Sequence, residues 1–90
     1  MKADHKQIVR LLKTARGQID GILGMVEEDR YCIDISNQLM ATTSILRKVN
    51  REIIKAHLSG CVKEAFEHDD ESLKNEKIEE IISIFEKLDK

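Results

Sequence analysis

The chain of 90 residues contains no proline and no tryptophan, and it has only one tyrosine and two phenylalanines. Without proline, nothing in the sequence forces a kink in a long helix. The shortage of aromatic side chains argues against a single-stranded nucleic-acid binder, which stacks bases on such rings. Two cysteines are too few for a disulfide scaffold.

The chain also lacks an apolar run of the ~20 residues that a membrane-spanning helix needs. The first ten residues, MKADHKQIVR, are too polar for a secretory signal. We therefore expect a cytoplasmic protein with no membrane partner, in which both cysteines are thiols.

The composition is that of a small all-α protein that needs support from a metal or from other subunits. Charged residues make up 36% of the chain, and isoleucine and leucine supply most of its apolar content. We expect one domain over residues 1–90, a size at which a core is marginal on its own. Residues 1–55 hold 10 Lys/Arg and 7 Asp/Glu, whereas residues 56–90 hold 5 and 10. The basic half is compatible with a phosphate-facing surface.

The apolar periodicity predicts three helices, over residues 4–28, 32–66 and 73–88. Asp4 is the expected N-cap of the first helix, with Gln7 three residues later. The second helix carries a coiled-coil-like seam, in which apolar positions alternate at spacings of four and three. The predicted seam comprises Ile35, Leu39, Thr42, Leu46, Val49, Ile53 and Ala56. The predicted stripe of the first helix comprises Ile8, Leu12, Ala15, Ile19, Ile22 and Val26.

A soft-metal site is indicated by His57 and Cys61, which lie four positions apart and therefore on one face of a helix. Cys32 lies 25 residues before His57, which is ~37 Å along a continuous helix. It therefore cannot reach the pair within one chain. Two copies of the second helix that cross antiparallel near Leu46 would bring Cys32 of one copy beside His57 and Cys61 of the other. This favours an obligate oligomer built on a four-helix bundle.

Two thiolates and an imidazole suit Cu(I), Zn(II) or another thiophilic ion. Three protein ligands satisfy Cu(I), whereas structural Zn(II) prefers a fourth. His5 or water would be the candidate for that fourth position. The ordinary alternative is that the cysteines are small apolar residues and the histidine a solvated one.

Basic residues recur at helical spacing on the first two helices, which suggests contacts with DNA phosphates. Such ridges are more often solvated faces. The candidate DNA-contacting residues are Arg10, Lys13 and Arg16 on the first helix, and Arg47, Arg51 and Lys55 on the second.

The segments TARGQIDGI, MVEEDRYCIDISNQ, NREIIKAHLSGCV and IEEI resemble, in order and spacing, the CsoR/RcnR/FrmR family of helical repressors. The combination of YCID with HLSGC is most similar to the copper-sensing branch. The resemblance implies a homotetramer, a dimer of antiparallel dimers, that binds operator double-stranded DNA when metal-free. It also implies release of the DNA by Cu(I) bound between subunits, with no enzymatic activity.

The resemblance also assigns roles to individual residues. Cys32 of one protomer with His57 and Cys61 of another match the metal ligands of the family, and Tyr31 and Glu80 match a pair that supports those ligands. Arg16 and Arg51 lie where the basic residues of the family lie. Leu11 departs from the pattern, because the family commonly has an arginine at that position.

Three alternatives stay open at this point. The first is a repressor that senses reactive sulfur through a Cys32–Cys61 bridge between chains, against which the presence of His57 argues. The second is a nickel or cobalt sensor that uses His5. The third is a copper-buffering helical protein that does not bind DNA.

Overall fold

The computed structural model describes residues 1–67 and 70–88, without the side chains at positions 61, 62, 65 and 88. It contains three α-helices, namely α1 (His5–Glu27), α2 (Cys32–Glu67) and α3 (Glu71–Leu88). The described residues are all-α, as predicted. No helix among them is long and apolar enough to cross a membrane. The molecule is elongated, 59 Å in its longest dimension, because the 36 residues of α2 form one continuous helix.

Side-chain caps begin both of the outer helices. Asp4 Oδ1 accepts hydrogen bonds from the backbone N–H groups of Lys6 (3.0 Å) and Gln7 (3.5 Å), so the predicted cap of α1 is confirmed. Asp70 does the same for Ser72 and Leu73 at the start of α3, at 2.9 and 3.2 Å. This cap starts α3 at Glu71, two residues before the predicted start.

The turn between α1 and α2 has the hydrogen bonds of a Schellman motif. The N–H of Arg30 donates to the carbonyl of Met25 (2.9 Å), and the N–H of Asp29 donates to that of Val26 (3.1 Å). Asp29 occupies the left-handed position of the motif, with a φ of 54°. The motif turns the chain back so that α2 packs along α1.

The core lies between α1 and α2 and is small. Ala3, Ile8 and Val49 are its buried centre, and partly buried apolar side chains pack around it. These surrounding residues are Leu11, Ile45, Ile53 and Ala56. Farther along the same contact, the buried hydroxyl of Thr42 donates to Gln18 Oε1 at 2.7 Å, which pairs the middle of α2 with the middle of α1.

Only part of each predicted stripe is buried in this contact. On α1, Ile8, Ala15 and Ile22 are buried, whereas Leu12, Ile19 and Val26 of the same stripe are exposed. On α2, Thr42 and Val49 are buried, whereas Leu39 and Leu46 remain about half exposed, at 50% and 43%. The apolar pattern is therefore wider than the contact between α1 and α2.

Candidate metal site and nucleic-acid surface

A contact between α2 and α3 lies at the centre of the candidate metal site. The His57 Nε2 and Glu80 Oε1 atoms form a close hydrogen bond, and Glu80 Oε2 accepts from Lys77 Nζ at 3.3 Å. These two partners, His57 first, lower the pKa of Glu80 below its usual value. The carboxylate is therefore charged at neutral pH and can only accept hydrogen bonds, so the His57 proton must lie on Nε2. Metal binding by this imidazole would then use Nδ1.

The other candidate ligands lie at different places along α2. Cys32 is the first residue of the helix, and its thiol is free and exposed. Because α2 is continuous, Cys32 and His57 are separated by 25 residues, or ~37 Å of helix. Cys61 lies one turn after His57 on α2, but its side chain lies outside the described residues. Within one chain, the described side chains include no group of three or more that could hold a metal ion.

The structure also separates the two residues expected to support the ligands. Glu80 contacts His57, as expected of such a residue. Tyr31 precedes Cys32 at the opposite end of α2, where it is exposed. His5, the candidate additional ligand, is the first residue of α1 and is also exposed.

Candidate ligands near both ends of α2 lie on one face of the helix. At 3.6 residues per turn, Cys32, Leu39, Leu46 and His57 point within about 40° of one another around the helix axis. The two leucines on this face are the half-exposed residues of the predicted seam. The same helix face therefore carries candidate metal ligands near its ends and uncovered apolar side chains between them.

The six candidate DNA-contacting residues are all exposed. They are Arg10, Lys13, Arg16, Arg47, Arg51 and Lys55. Within the part of the chain that the structure describes, none of the six forms an ion pair. Leu11, which replaces an expected arginine, packs against the core and not on the basic surface.

The fold and the comparison with known families together define a class of small helical regulators. The family described as metal-sensitive transcriptional repressors matches residues 4–87. The chain belongs to that family, so the predicted family is confirmed. The family consists of transcriptional repressors, which also supports the prediction that the chain is not an enzyme.

The chain is also similar to individual repressors. The chain is 50% identical over 50 residues to the copper-sensing transcriptional repressor CsoR of Mycobacterium ulcerans, a match that covers 56% of the chain and 43% of that protein. It is 48% identical over 54 residues to RicR of Mycobacterium tuberculosis, covering 60% of the chain and 56% of the relative. The matches thus span about half the length of these mycobacterial relatives. CsoR of Bacillus subtilis is 36% identical over 87 residues, covering 97% of the chain and 83% of the relative.

A solved structure has the same fold. The crystal structure of the copper-sensing repressor CsoR with Cu(I) from Geobacillus thermodenitrificans superposes with a TM-score of 0.82 at 32% identity. The superposition covers 94% of this chain and 85% of that one.

Proposed function

We propose that the protein is a copper-responsive repressor that binds operator DNA when metal-free and releases it when Cu(I) binds. Cu(I) is held between subunits, by Cys32 of one protomer with His57 and Cys61 of another. Three of the relatives are copper-sensing repressors, and the solved neighbour contains Cu(I). The intersubunit arrangement is supported by one observation. The α2 helix is continuous, which keeps Cys32 far from His57 in its own chain.

The donor set fits the proposed ligand. Two thiolates and one imidazole are soft donors, and three of them satisfy Cu(I) in a trigonal arrangement. Glu80 supports this chemistry because its hydrogen bond fixes the His57 ring and keeps the proton on Nε2. The pair is in place in the single chain, so α3 prepares the histidine before a metal arrives.

An antiparallel dimer supplies the missing thiolate. Cys32 lies 14 residues before Leu46, so in two helices that cross at Leu46 it is level with position 60 of the other copy. Position 60 lies between His57 and Cys61. The exposed Leu39 and Leu46 give the two copies an apolar surface to bury. Two such dimers form the tetramer of the proposal.

DNA binding is assigned to the exposed cations of α1 and α2. A tetramer repeats each of these residues four times, so phosphate contacts accumulate and affinity falls steeply with salt. Copper weakens DNA binding only if Cu(I) binds the DNA-free protein more tightly than the DNA-bound protein. The coupling is reciprocal, so operator DNA must weaken Cu(I) binding by the same factor.

Mixed dimers test the intersubunit site directly. Cys32→Ala protomers and His57→Ala protomers, each with a different affinity tag, are refolded together, and the doubly tagged species is purified. In the proposed dimer, one of its two sites combines the intact Cys32 of one protomer with the intact His57 and Cys61 of the other. The doubly tagged tetramers also include unmixed dimers, which have no intact site, so we expect about one Cu(I) per doubly tagged tetramer, and no tight Cu(I) in either variant alone.

The outcome separates the two geometries. A site built within one chain would be broken in both protomers, so a mixed dimer without tight Cu(I) would contradict the proposal.

A second experiment tests the repressor mechanism. Wild-type protein is titrated onto the DNA upstream of its own gene, with and without Cu(I). Unchanged DNA affinity in the presence of copper would refute the repressor mechanism.

A second candidate, sensing of reactive sulfur, is favoured by the exposed free thiol of Cys32. A disulfide or polysulfide bridge between Cys32 and Cys61 of another chain would then replace the metal. This mechanism does not require the His57 ring. His57→Ala separates the candidates, because it abolishes the response to copper but leaves the mass shift and DNA release caused by polysulfide.

A further inference from the structure

Lys77 contacts the carboxylate that orients His57, and neither the sequence patterns nor the resemblance assigns it a role. It lies three residues before Glu80 on α3, so both side chains leave the helix on the same side. Its Nζ is 3.3 Å from Glu80 Oε2, whereas the hydrogen bond with His57 uses Glu80 Oε1. The Lys77 side chain is only 23% exposed. The two oxygens of Glu80 are thus divided between an ammonium group and an imidazole.

The stability of the fold does not account for this arrangement. An i, i+3 ion pair on a partly solvated helix contributes little to the stability of a fold. Lys74 and Glu71 form a similar i, i+3 pair one turn earlier on α3, with their charged atoms 3.6 Å apart, and Lys74 also lies over the Phe66 ring of α2. What distinguishes Lys77 is that its carboxylate partner has a second contact with a candidate metal ligand.

We propose that Lys77 is a positioning residue for the metal site, which acts on His57 through Glu80. By holding Oε2, Lys77 fixes the rotation of the carboxylate and directs Oε1 at His57 Nε2. The proton of His57 then stays on Nε2, and Nδ1 is the nitrogen that binds Cu(I). This inference rests on the proposed copper-sensing function.

Two effects of Lys77 on Cu(I) affinity have opposite signs. Its positive charge repels a bound cation, so removing that charge should tighten binding slightly. Its hold on Glu80 orients the ring, so removing that hold should weaken binding. Groups that orient a metal-binding histidine directly contribute about 10- to 100-fold in affinity. We expect the orientation effect to exceed the repulsion, because the solvent around His57 and Glu80, whose side chains are 41% and 36% exposed, screens the charge.

The experiment first measures the His57 ring in metal-free protein, at one fixed alkaline pH for all variants. Ring ¹⁵N shifts report which nitrogen carries the proton. In wild type we expect the proton on Nε2, and in Lys77→Met a clear shift of population towards the Nδ1–H tautomer. Lys77→Arg keeps a cation within reach of Glu80 and should restore the wild-type tautomer. Lys74→Met is the matched control on the same helix and should also keep it.

The second measurement is Cu(I) affinity by competition with a chelator. We expect Lys77→Met to bind Cu(I) about 3- to 10-fold more weakly, less than the full loss of an orienting partner. Lys77→Arg and Lys74→Met should stay within twofold of wild type. Thermal unfolding of each metal-free variant, at equal protein concentration, checks that the fold is retained.

The outcomes distinguish this inference from the function on which it rests. If wild type binds Cu(I) tightly but Lys77→Met matches it in tautomer and affinity, the positioning role is wrong and the copper function stands. Tighter Cu(I) binding by Lys77→Met would also overturn the role, since charge repulsion would then dominate. If wild type does not bind Cu(I), the proposed function fails, while the tautomers still decide whether Lys77 orients His57.

Discussion

The His57 imidazole on α2 donates a hydrogen bond to the Glu80 carboxylate on α3, although 23 residues separate them in the sequence. The bond connects the last helix to the segment that carries two of the three candidate metal ligands. Movement of His57 on metal binding would therefore be transmitted to α3. The pair is a part of the candidate site that a single chain assembles by itself.

Glu80→Gln should reduce Cu(I) affinity by about tenfold or more. The amide keeps the size of the side chain but removes the charge that attracts the Nε2–H group. Glu79→Gln is the matched control, because Glu79 is adjacent, acidic and exposed. Chelator competition under anaerobic conditions measures both variants. Equal affinities of the two variants would show that the Glu80 carboxylate does not prepare His57 for metal binding.

The helices themselves were predictable, because they depend on local sequence. The Asp4 cap and the polar turn after residue 28 placed α1 and the start of α2 to within one residue of their observed bounds. The start of α3 was placed two residues late, because the acidic stretch before it offers several possible caps. Asp70 is the cap in the structure, and only its contacts with Ser72 and Leu73 identify it.

The division of the apolar stripes was not predictable from the sequence. Leu39 and Val49 fit one heptad pattern equally well, yet Val49 is buried against α1 and Leu39 is half exposed. A heptad pattern contains both the apolar residues that pack within a chain and those that would pack between chains, and it does not distinguish them. The metal-site prediction was similarly incomplete. The contact of Lys77 with the site depends on how the Glu80 side chain is rotated, which the sequence does not specify.

Leu46→Glu should disrupt the oligomer without unfolding the chain. The side chain is exposed in the single chain, so a carboxylate there costs little, but two carboxylates would meet at the proposed crossing point. Sedimentation velocity should show a lower mass, and tight Cu(I) binding should be lost. Ser44→Glu is the control, because Ser44 is exposed and lies about 200° around the helix from Leu46. A wild-type mass for Leu46→Glu would contradict the proposed dimer face.

Asp29→Gly should stabilise the fold by about 0.5–1 kcal/mol, because residue 29 has a positive φ that glycine adopts without steric cost. Urea unfolding at equal protein concentration measures the effect, since the stability of an oligomer depends on concentration. Glu28→Gly is the matched control and should destabilise, because Glu28 has an ordinary φ of −83°. The prediction fails if both glycine variants change stability in the same direction.

Arg51→Gln should weaken binding to the DNA upstream of the chain's own gene and reduce its dependence on salt. Each phosphate that a cation neutralises adds about 0.9 to the slope of log affinity against log salt, so the substitution should make the slope shallower by about 0.9 for each of the four Arg51 copies that contacts DNA. Arg30→Gln is the control, because Arg30 lies in the turn after α1 and its guanidinium is 3.7 Å from the Glu28 carboxylate. Fluorescence anisotropy over a range of salt concentrations gives both slopes. If Arg51→Gln keeps the wild-type slope, Arg51 does not contact phosphate and does not belong to the DNA-binding surface.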